Sequence, residues 1–432
     1  MRQDNKIVNE ERKTLINKTF KDMNVLAECV GYISGPTYTR FNIKYKKDEK
    51  VKNLSSIIPD LRVRLGLSYL RFVPSIPNEP YSGIEIVNEH RDFVNYDDIY
   101  DQLNNNPMSI PFGVDIKGKL IQEDLCVLPH ILVTGTTGSG KSIFLHSLLT
   151  TLIKRNTPSD VQFVLIDPKY VEMHPYKELP HLYRPIINKG KEALEALYSL
   201  VQKMNDRYVL FEKEEVCSIK EYNETHKDKL PYIIVVIDEY MDLYESVNDV
   251  KGPLLSLLQK ARASGIHIIL SMQRIDTNAL SKAMKDNFPT VVCFATATDT
   301  DSIFAINDSC AEYLGGLGDM LLKSPTISRK DLLRLQAPYI KSTEVREVIG
   351  ELKEKYKTVE PLSANPAPII DNDEAYEKVK NWVLEQEYVS VSKIQRECSL
   401  GFNRANRVFE RLQKDGLVSP EMDKKKGLKV IK

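Results

Sequence analysis

The sequence lacks the features that mark membrane-spanning, secreted and zinc-binding proteins. No run approaches the roughly 18–20 consecutive apolar residues of a transmembrane helix, and the charged N-terminus lacks the apolar stretch of a signal peptide. The six cysteines lie far apart in the chain and none forms a CxxC pair, so neither a zinc site nor a disulfide framework is indicated. We therefore expect a soluble cytoplasmic protein whose thiols are reduced.

The sequence also lacks an excess of charge of either sign. Lys and Arg number 60, Asp and Glu also number 60, and the formal net charge is zero. This balance excludes a uniformly basic nucleic-acid coat and an acidic disordered tail, but it permits a local basic patch. The 432 residues, of which 42% are apolar, allow about two to four domains with ordinary hydrophobic cores.

The first part of the chain predicts a polar segment followed by a small α+β module. Residues 1–24 carry charges of both signs and could form one solvated helix. In the module, residues 25–125, the apolar Phe41, Ile43 and Tyr45 alternate with polar neighbours, which is typical of a half-buried strand. The other predicted elements are a helix over 51–67, in which Pro59 could mark the true start, and strands at 69–73 and 83–87.

The segment 126–355 alternates apolar runs with amphipathic stretches. Most runs are nearly continuous and rich in Ile or Val, as expected for strands that are buried on both faces. Strand–helix repetition indicates right-handed βαβ crossovers, and therefore an α/β core with a parallel sheet covered by helices on both sides. The predicted strands are 130–134, 161–166, 232–237, 266–272 and 290–295.

A glycine-rich segment follows the first of these strands and opens a helix. It matches the P-loop pattern GxxxxGK[ST], in which glycines let backbone N–H groups surround phosphates. We expect Lys141 to reach the β- and γ-phosphates of ATP and the Ser142 hydroxyl to hold Mg²⁺. The residues of this candidate nucleotide-binding loop are Gly135, Thr136, Thr137, Gly138, Ser139, Gly140, Lys141 and Ser142.

An apolar strand that ends in two acids supplies the second half of such a site. Asp238, at the end of strand 232–237, is positioned to hold Mg²⁺ directly or through its water shell. Glu239 is the candidate general base that would polarise the attacking water. Gln273, which follows strand 266–272, could sense the γ-phosphate, although simple surface polarity would also explain it. Together these residues predict an ATPase.

Beyond the core, the Pro-rich residues 356–373 predict an extended linker, and residues 374–432 predict a winged-helix domain. Three helical segments followed by two short strands give the winged-helix order. The polar side of the third helix carries side chains that can pair with base edges in the major groove. This domain has 13 Lys and Arg against 9 Asp and Glu, an excess that favours DNA. A solvated face or a protein-docking surface is the alternative. The candidate DNA-binding residues are Asn403, Arg404, Arg407 and Glu410.

Several separated motifs share their order and spacing with one protein family. They are Pro129-His130, the P-loop, Ile166-Asp167-Pro168-Lys169, Asp238-Glu239-Tyr240-Met241-Asp242-Leu243, the run 260–267, Gln273-Arg274 and Gly318-Asp319-Met320-Leu321. Weaker matches in the first module are Gly35-Pro36-Thr37 and Pro77-Asn78-Glu79-Pro80-Tyr81. With these motifs the chain resembles the FtsK/SpoIIIE DNA translocases over nearly its whole length.

The resemblance implies a homo-hexameric ring on double-stranded DNA, in which the first module and a RecA-like ATPase core stack as two rings. Hydrolysis of ATP would move loops that line the channel along the duplex, and the winged helix would read short orientation-setting sequences. Each nucleotide would lie between subunits, where an arginine of the neighbour can stabilise the transition state. Arg262 is the first candidate for that arginine and Arg274 the second. The alternative for Arg262 is an exposed helix-end arginine favoured by the helix dipole.

Two positions depart from the family pattern. Ile275 stands where Pro usually follows Gln-Arg, and Ile303 stands where Arg usually follows Asp-Ser. An inter-subunit contact made by that second arginine is therefore not carried over to this chain. The membrane-spanning region typical of the cell-division members is not recognised either, so septum anchoring is not expected. Any membrane adaptor or recombinase partner stays open.

These observations predict an ATP-driven double-stranded DNA translocase. Its role would be chromosome segregation or the transfer of a plasmid or another mobile element. One alternative within the motor class is a conjugative coupling pump that moves a single DNA strand. The other is a regulator in which ATP binding switches DNA binding by the winged helix.

Overall fold

The computed structural model describes residues 2–46, 50–77, 79–247, 249–326, 328–356, 374–398, 408–409, 411–413, 415–423 and 427–431. The chain divides into two compact units, Met1–Ala364 and Asn365–Lys432. The first unit contains two sheets, one of four strands and one of nine, and the second unit contains a three-stranded sheet.

The four-stranded sheet and two helices form the first module. Its elements are α1 (Arg2–Asp22), β1 (Ala27–Ser34), β2 (Tyr38–Tyr45), α2 (Val51–Arg64), β3 (Arg71–Val73) and β4 (Ser82–Val87), and the antiparallel strand order is β1-β2-β4-β3. The helix α2 starts at Val51 and contains Pro59 in its interior. The polar helix α1 is not simply solvated, because Ile16 and Phe20, one turn apart, pack into the core of the module.

The nine-stranded sheet is the framework of the core. Its strands are β5 (Ser109–Val114), β6 (Leu120–Asp124), β7 (His130–Thr134), β8 (Val161–Ile166), β9 (Tyr232–Ile237), β10 (Ile266–Met272), β11 (Thr290–Phe294), β12 (Asp319–Ser324) and β13 (Ser328–Gln336). All five strands predicted from their apolar runs are present, and they pair in parallel in the order β11-β7-β10-β9-β8.

The sheet is mixed rather than parallel throughout. The strands β6, β5, β13 and β12 extend it beyond β11, and all of their pairings are antiparallel. Two of these strands, β5 and β6, lie within the range 25–125 that the sequence assigns to the first module. Gln336 of β13 pairs with Val114 of β5, a contact between distant parts of the chain that no local pattern encodes.

Helices cover the sheet on both faces and explain why its central strands are apolar throughout. In β9, Ile233, Val235 and Ile237 pack into one hydrophobic core, while Ile234 and Val236 pack into the other. The helices of this part are α3 (Tyr96–Tyr100), α4 (Lys141–Arg155), α5 (Gly190–Lys213), α6 (Ile219–Thr225), α7 (Tyr240–Ser246), α8 (Lys251–Lys260), α9 (Lys282–Lys285), α10 (Asp299–Ile306) and α11 (Ser342–Lys355).

The second unit has the elements of a small winged helix. They are α12 (Glu374–Leu384), β14 (Tyr388–Val389), α13 (Val391–Glu397), β15 (Val418–Asp423) and β16 (Gly427–Val430), with the strand order β14-β16-β15. The antiparallel pair β15 and β16 has the position of a wing. Residues that form the core of this unit include Tyr376, Val379, Val383, Ile394 and Leu412. The candidate DNA-binding residues Asn403, Arg404, Arg407 and Glu410 lie outside the described residues.

Within the described ranges, no helix combines the length and apolar character that crossing a bilayer requires.

Candidate nucleotide site

The P-loop, residues 135–142, connects β7 to α4 at the carboxyl edge of the parallel strands. Gly140 precedes α4 and adopts a positive φ of 116°, a backbone conformation that residues other than glycine rarely adopt. A Cβ at this position would lie 2.6 Å from the backbone nitrogen of Gly318. Glycine is therefore required both for the turn and for the close approach of a second loop.

Lys141 is folded into the P-loop and is only 6% exposed. Its ammonium group donates hydrogen bonds to the carbonyl oxygens of Gly135 and Thr136. Burial lowers the pKa of Lys141 to about 8, and the nearby carboxylates of Glu239 and Asp238 oppose this shift. The amine thus lies inside the turn that would surround phosphates, where an anion would stabilise its charged form.

Asp238 and Glu239 follow β9 and lie at the same edge of the sheet. Burial raises the pKa of Asp238 to about 6, and the negative charges of Asp167, Glu172 and Glu239 add to this effect. The pKa of Glu239 is raised chiefly by burial, and its side chain is only 5% exposed. Glu239 also has a positive φ of 49°, an uncommon conformation for a non-glycine residue.

Ser142 and Asp238 supply a hydroxyl and a carboxylate, the oxygen ligands that Mg²⁺ uses together with nucleotide phosphates. The electrostatic surroundings fit a cation, because Asp238 is surrounded by other acids that raise its pKa. A bound cation would offset this repulsion between like charges. The residues present therefore suit the predicted role of Mg²⁺.

Gln273 joins the P-loop to the acidic pair. The hydroxyl of Thr137 donates to Oε1 of Gln273 at 2.7 Å, and the backbone N–H of Gln273 donates to Oε1 of Glu239 at 3.3 Å. The strands β7, β10 and β9 are neighbours in the sheet, so their carboxyl ends meet here. The tertiary structure thus brings together three elements, of which the first and the last, at Thr137 and Gln273, lie 136 residues apart in the sequence.

Arg262 does not lie with these residues. It is exposed in the turn that precedes β10, whereas Gln273 follows β10. A seven-residue strand spans about 20 Å, so Arg262 lies at the opposite edge of the sheet from the P-loop of its own chain. Arg274 is exposed at the same edge as Gln273. A role for Arg262 on a nucleotide therefore requires a second subunit.

Asp167 belongs to this site, although the sequence pattern alone predicts no role for it. It is fully buried after β8, and its carboxylate accepts backbone hydrogen bonds from Lys169, Tyr170, Val171 and Met173 at 2.8–3.0 Å. Asp167 therefore shapes the loop that carries Lys169, whose ammonium group lies 3.0 Å from the carboxylate of Asp242. An aspartate directly after a buried strand and before a proline was the available signal.

A second glycine-rich segment was also missed as part of the site. We call residues 315–318 the glycine loop. The backbone N–H of Gly318 donates to the carbonyl oxygen of Ser139 at 2.8 Å. Near the start of the P-loop, the N–H of Thr136 donates to the carbonyl oxygen of Ala295, the residue after β11, at 2.8 Å. The P-loop is thus supported from β11 and from the glycine loop.

Three family models match consecutive parts of the chain. The FtsK/SpoIIIE family model matches residues 96–277, the FtsK alpha domain model matches residues 2–88 and the FtsK gamma domain model matches residues 370–427. These regions correspond to the core, the first module and the C-terminal unit, respectively.

Curated relatives align along almost the whole chain. A protein named DNA translocase FtsK from Leptospira interrogans is 35% identical over 436 residues, which cover 96% of this chain and 46% of the relative. A protein named DNA translocase SftA from Bacillus subtilis is 32% identical over 425 residues, which cover 95% of this chain and 44% of the relative. The chain spans about half the length of the curated relatives it matches.

Solved structures share the fold at lower identity. The pCW3 conjugation coupling protein TcpA, in a monomer form with ATPγS, has a TM-score of 0.56 and 23% identity, with coverage of 79% of this chain and 99% of that chain. EssC (ATPases 2 and 3) from Geobacillus thermodenitrificans has a TM-score of 0.52 and 20% identity, with coverage of 58% of this chain and 49% of that chain. Together with the family models, these likenesses confirm the predicted RecA-like P-loop ATPase core.

Proposed function

This chain belongs to the FtsK/SpoIIIE family, and from that premise we propose that it is an ATPase that translocates along double-stranded DNA. The observation that carries the proposal is the convergence of three sheet ends. Thr137 of the P-loop contacts Gln273, and Gln273 contacts Glu239. A γ-phosphate bound at the P-loop would therefore lie beside a buried carboxylate and a polar amide.

Each residue of the site has a defined task in hydrolysis. The ammonium group of Lys141 would exchange its carbonyl partners, Gly135 and Thr136, for the β- and γ-phosphates. Glu239 would accept a proton from the water that attacks the γ-phosphorus, and the bond to the bridging oxygen of ADP would break. Because burial raises the pKa of Glu239, its carboxylate is a stronger base than an exposed glutamate.

Ser142 and Asp238 would hold Mg²⁺, which neutralises phosphate charge when it is bound. Gln273 would change partners when a γ-phosphate arrives, because its side chain is already bonded to the P-loop through Thr137. This arrangement makes Gln273 a reporter of whether the terminal phosphate is present.

We propose that the active assembly is a homo-hexameric ring. The length of β10, about 20 Å, separates Arg262 from the edge of the sheet that carries its own site, so it could stabilise a transition state only in a neighbouring subunit. Such a ring would be expected to hold DNA mainly through phosphate contacts, which are independent of base sequence.

The C-terminal unit would act as a DNA reader in the cytoplasm. The FtsK gamma domain match and the three-stranded sheet with its wing support this assignment. Asn403, Arg404, Arg407 and Glu410 are the proposed base-contacting residues. The cargo would be a chromosome or a mobile element.

The decisive variant for this proposal is Glu239→Gln. It should lower ATP hydrolysis by about 100-fold or more, because the general base is lost, while ATP binding is kept. The matched control is Glu245→Gln, which changes an exposed residue of α7, the helix that directly follows Glu239, and should behave as the wild type. Hydrolysis is measured with and without long linear double-stranded DNA, and movement is measured by displacement of a triplex-forming strand.

The alternatives give different outcomes in the same assay. A coupling pump for one strand would be stimulated by single-stranded DNA more than by duplex. An ATP-switched regulator would show ATP-dependent DNA affinity without displacing the third strand, and Glu239→Gln would leave that affinity intact. A wild-type protein that stays monomeric on long duplexes, with hydrolysis unaffected by DNA, would contradict the proposed translocase.

A further inference from the structure

A buried group of charges joins the first module to the core. Arg334 of β13 donates to both carboxylate oxygens of Asp319 in β12, at 2.9 and 2.7 Å. It also donates to Oε2 of Glu85 in β4 at 3.0 Å. Glu85 in turn accepts a hydrogen bond from Arg71 of β3 at 2.9 Å. Arg334, Asp319 and Glu85 are 3%, 0% and 6% exposed, respectively.

The positive and negative charges of this group compensate one another. Burial alone would raise the pKa of Glu85, but the guanidinium groups of Arg71 and Arg334 hold it below its usual value. The Arg334 guanidinium also lies 4.1 Å from the ring centre of Tyr38. The bidentate ion pair between Arg334 and Asp319 fixes both the distance between the two side chains and their relative orientation, so this connection is rigid.

A second link runs parallel to the first. The hydroxyl of Thr37, which precedes β2, donates to Oε1 of Gln336 in β13. The amide nitrogen of Gln336 then donates to the carbonyl oxygen of Leu317 at 2.9 Å. A third contact runs from Nη1 of Arg91, just beyond β4, to the carbonyl oxygen of Gly315 at 2.6 Å.

All three links end on or beside the glycine loop. Asp319 accepts a hydrogen bond from the N–H of Gly315 at 2.7 Å, so the Glu85–Arg334–Asp319 chain reaches the loop as well. Within the loop, Leu317 has a positive φ of 54°, a conformation that a leucine keeps only where its surroundings impose it. The hydrogen bond from Gln336 supplies part of that constraint.

The glycine loop contacts the P-loop directly. Gly318 donates its N–H to the carbonyl oxygen of Ser139 at 2.8 Å. The backbone of Gly318 also lies close to Gly140. A Cβ atom added to Gly140 would lie only 2.6 Å from the backbone nitrogen of Gly318. A displacement of the glycine loop would therefore move the residues that begin α4, including Lys141.

We propose that Glu85, Arg334 and Thr37 are positioning residues that couple the first module to the P-loop through the glycine loop. Nucleotide binding at the P-loop and the packing of the first module on β12 and β13 then stabilise each other, as linkage requires. The inference rests on the proposed function in that the ligand of the P-loop is ATP.

The test measures ATPγS affinity and hydrogen exchange in the full chain. Glu85→Gln removes the charge that pairs with Arg334 and keeps the shape of the side chain. We expect it to weaken ATPγS binding by about tenfold, within the usual range of coupling between sites. We also expect it to abolish the protection that ATPγS gives to backbone amides of β2 and β4 in the wild-type protein.

The matched control is Glu79→Gln, which changes another glutamate of the same module. Glu79 pairs with Arg40 of β2 and with Lys117 in the turn between β5 and β6. The Glu79→Gln variant should bind ATPγS with an affinity within about twofold of the wild-type value. A larger loss of affinity would mean that the loss of any ion pair in this region weakens binding, and would contradict the proposed coupling.

A milder pair of variants tests the second link in case Glu85→Gln does not fold. Thr37→Val removes the hydroxyl that reaches Gln336, and Thr37→Ser keeps it. Thr37→Val should weaken ATPγS binding by a fewfold, and Thr37→Ser should bind as the wild type. A purely structural role would lower the melting temperature of Thr37→Val without changing its ATPγS affinity.

The outcomes separate this inference from the proposed function. If the wild-type protein binds no ATPγS, the proposed function is wrong and the coupling fails with it. If the wild type binds ATPγS but Glu85→Gln and Thr37→Val bind it equally well, only the coupling is overturned. Weaker binding in both variants, with unchanged binding in Glu79→Gln and Thr37→Ser, supports it.

Discussion

Two groups of buried charges in the first unit show opposite electrostatic behaviour. Around Arg334, acids and guanidinium groups are paired, and the pKa of Glu85 is held below its usual value. At the nucleotide site, Asp238 is partly buried beside the acids Asp167, Glu172 and Glu239, and its pKa is raised to about 6. Both groups contain aspartate and glutamate, so the opposite pKa shifts come from the charges that surround each acid.

The comparison separates a structural use of charge from a functional one. A paired buried cluster holds elements together and is costly to break, because removal of one member leaves its partners uncompensated. A cluster of like charges instead stores repulsion that a cation can relieve. Perturbed acids in a cleft are therefore a better indication of a binding site than buried ion pairs are.

The paired cluster should be the more costly of the two to disrupt. Arg334→Met leaves Glu85 and Asp319 buried without their shared cation and should lower the free energy of unfolding by about 3–5 kcal/mol. The control Arg40→Met removes an ion pair whose acid, Glu79, is 23% exposed, and should cost about 1 kcal/mol. Urea denaturation measures both, and equal costs would contradict the distinction.

The unpaired cluster should respond in the opposite direction. Asp238→Asn removes a repelled charge and should raise the free energy of unfolding of the nucleotide-free protein by about 1–3 kcal/mol at pH 8. Because the folded-state pKa is raised to about 6, the penalty of the wild type develops as the pH rises from about 4 to about 6. The gain from the variant should therefore vanish below about pH 4.

The control for this prediction is Asp242→Asn, whose carboxylate is paired with Lys169 at 3.0 Å. Loss of a paired acid should give no stabilisation at pH 8. A gain of similar size in both variants would show that any lost acid stabilises this region, and the contrast between paired and unpaired acids would be wrong.

The smallest expected effect concerns the ammonium group of Lys141 in the nucleotide site. Burial lowers the pKa of Lys141 to about 8, so the free protein loses this positive charge as the pH rises through 8. Bound phosphate favours the charged form, so ATP affinity should fall by up to about tenfold between pH 7.5 and 9. In Lys141→Gln the affinity should be lower and nearly independent of pH over this range. Isothermal titration calorimetry measures both dependences.

The parts of the fold that are readable from the sequence are those with local periodicity. The five parallel strands are continuous apolar runs, because both of their faces are covered, and they were predicted nearly to the residue. The strands β1, β5, β6, β12 and β13 were missed. Their residues are only partly apolar, and their identity as strands depends on partners elsewhere in the chain.

The candidate site divides in the same way. The P-loop and the Asp238-Glu239 pair are contiguous motifs whose chemistry requires their spacing, so they were visible. The glycine loop was seen only as a family motif, and its contact with Ser139 could not be read from it. The positions of Asn403, Arg404, Arg407 and Glu410 stay predictions, as does the role of Arg262.

The sequence by itself determined where a phosphate-binding loop is predicted, between β7 and α4, because the glycines, the lysine and the hydroxyl residue lie within eight consecutive positions. Only the tertiary structure decided how that site is supported. Arg334 and Glu85 lie 249 residues apart, and Thr37 and Gln336 lie 299 apart. Pairing at such separations depends on how two sheets pack against each other, and that packing leaves no periodic trace in either segment.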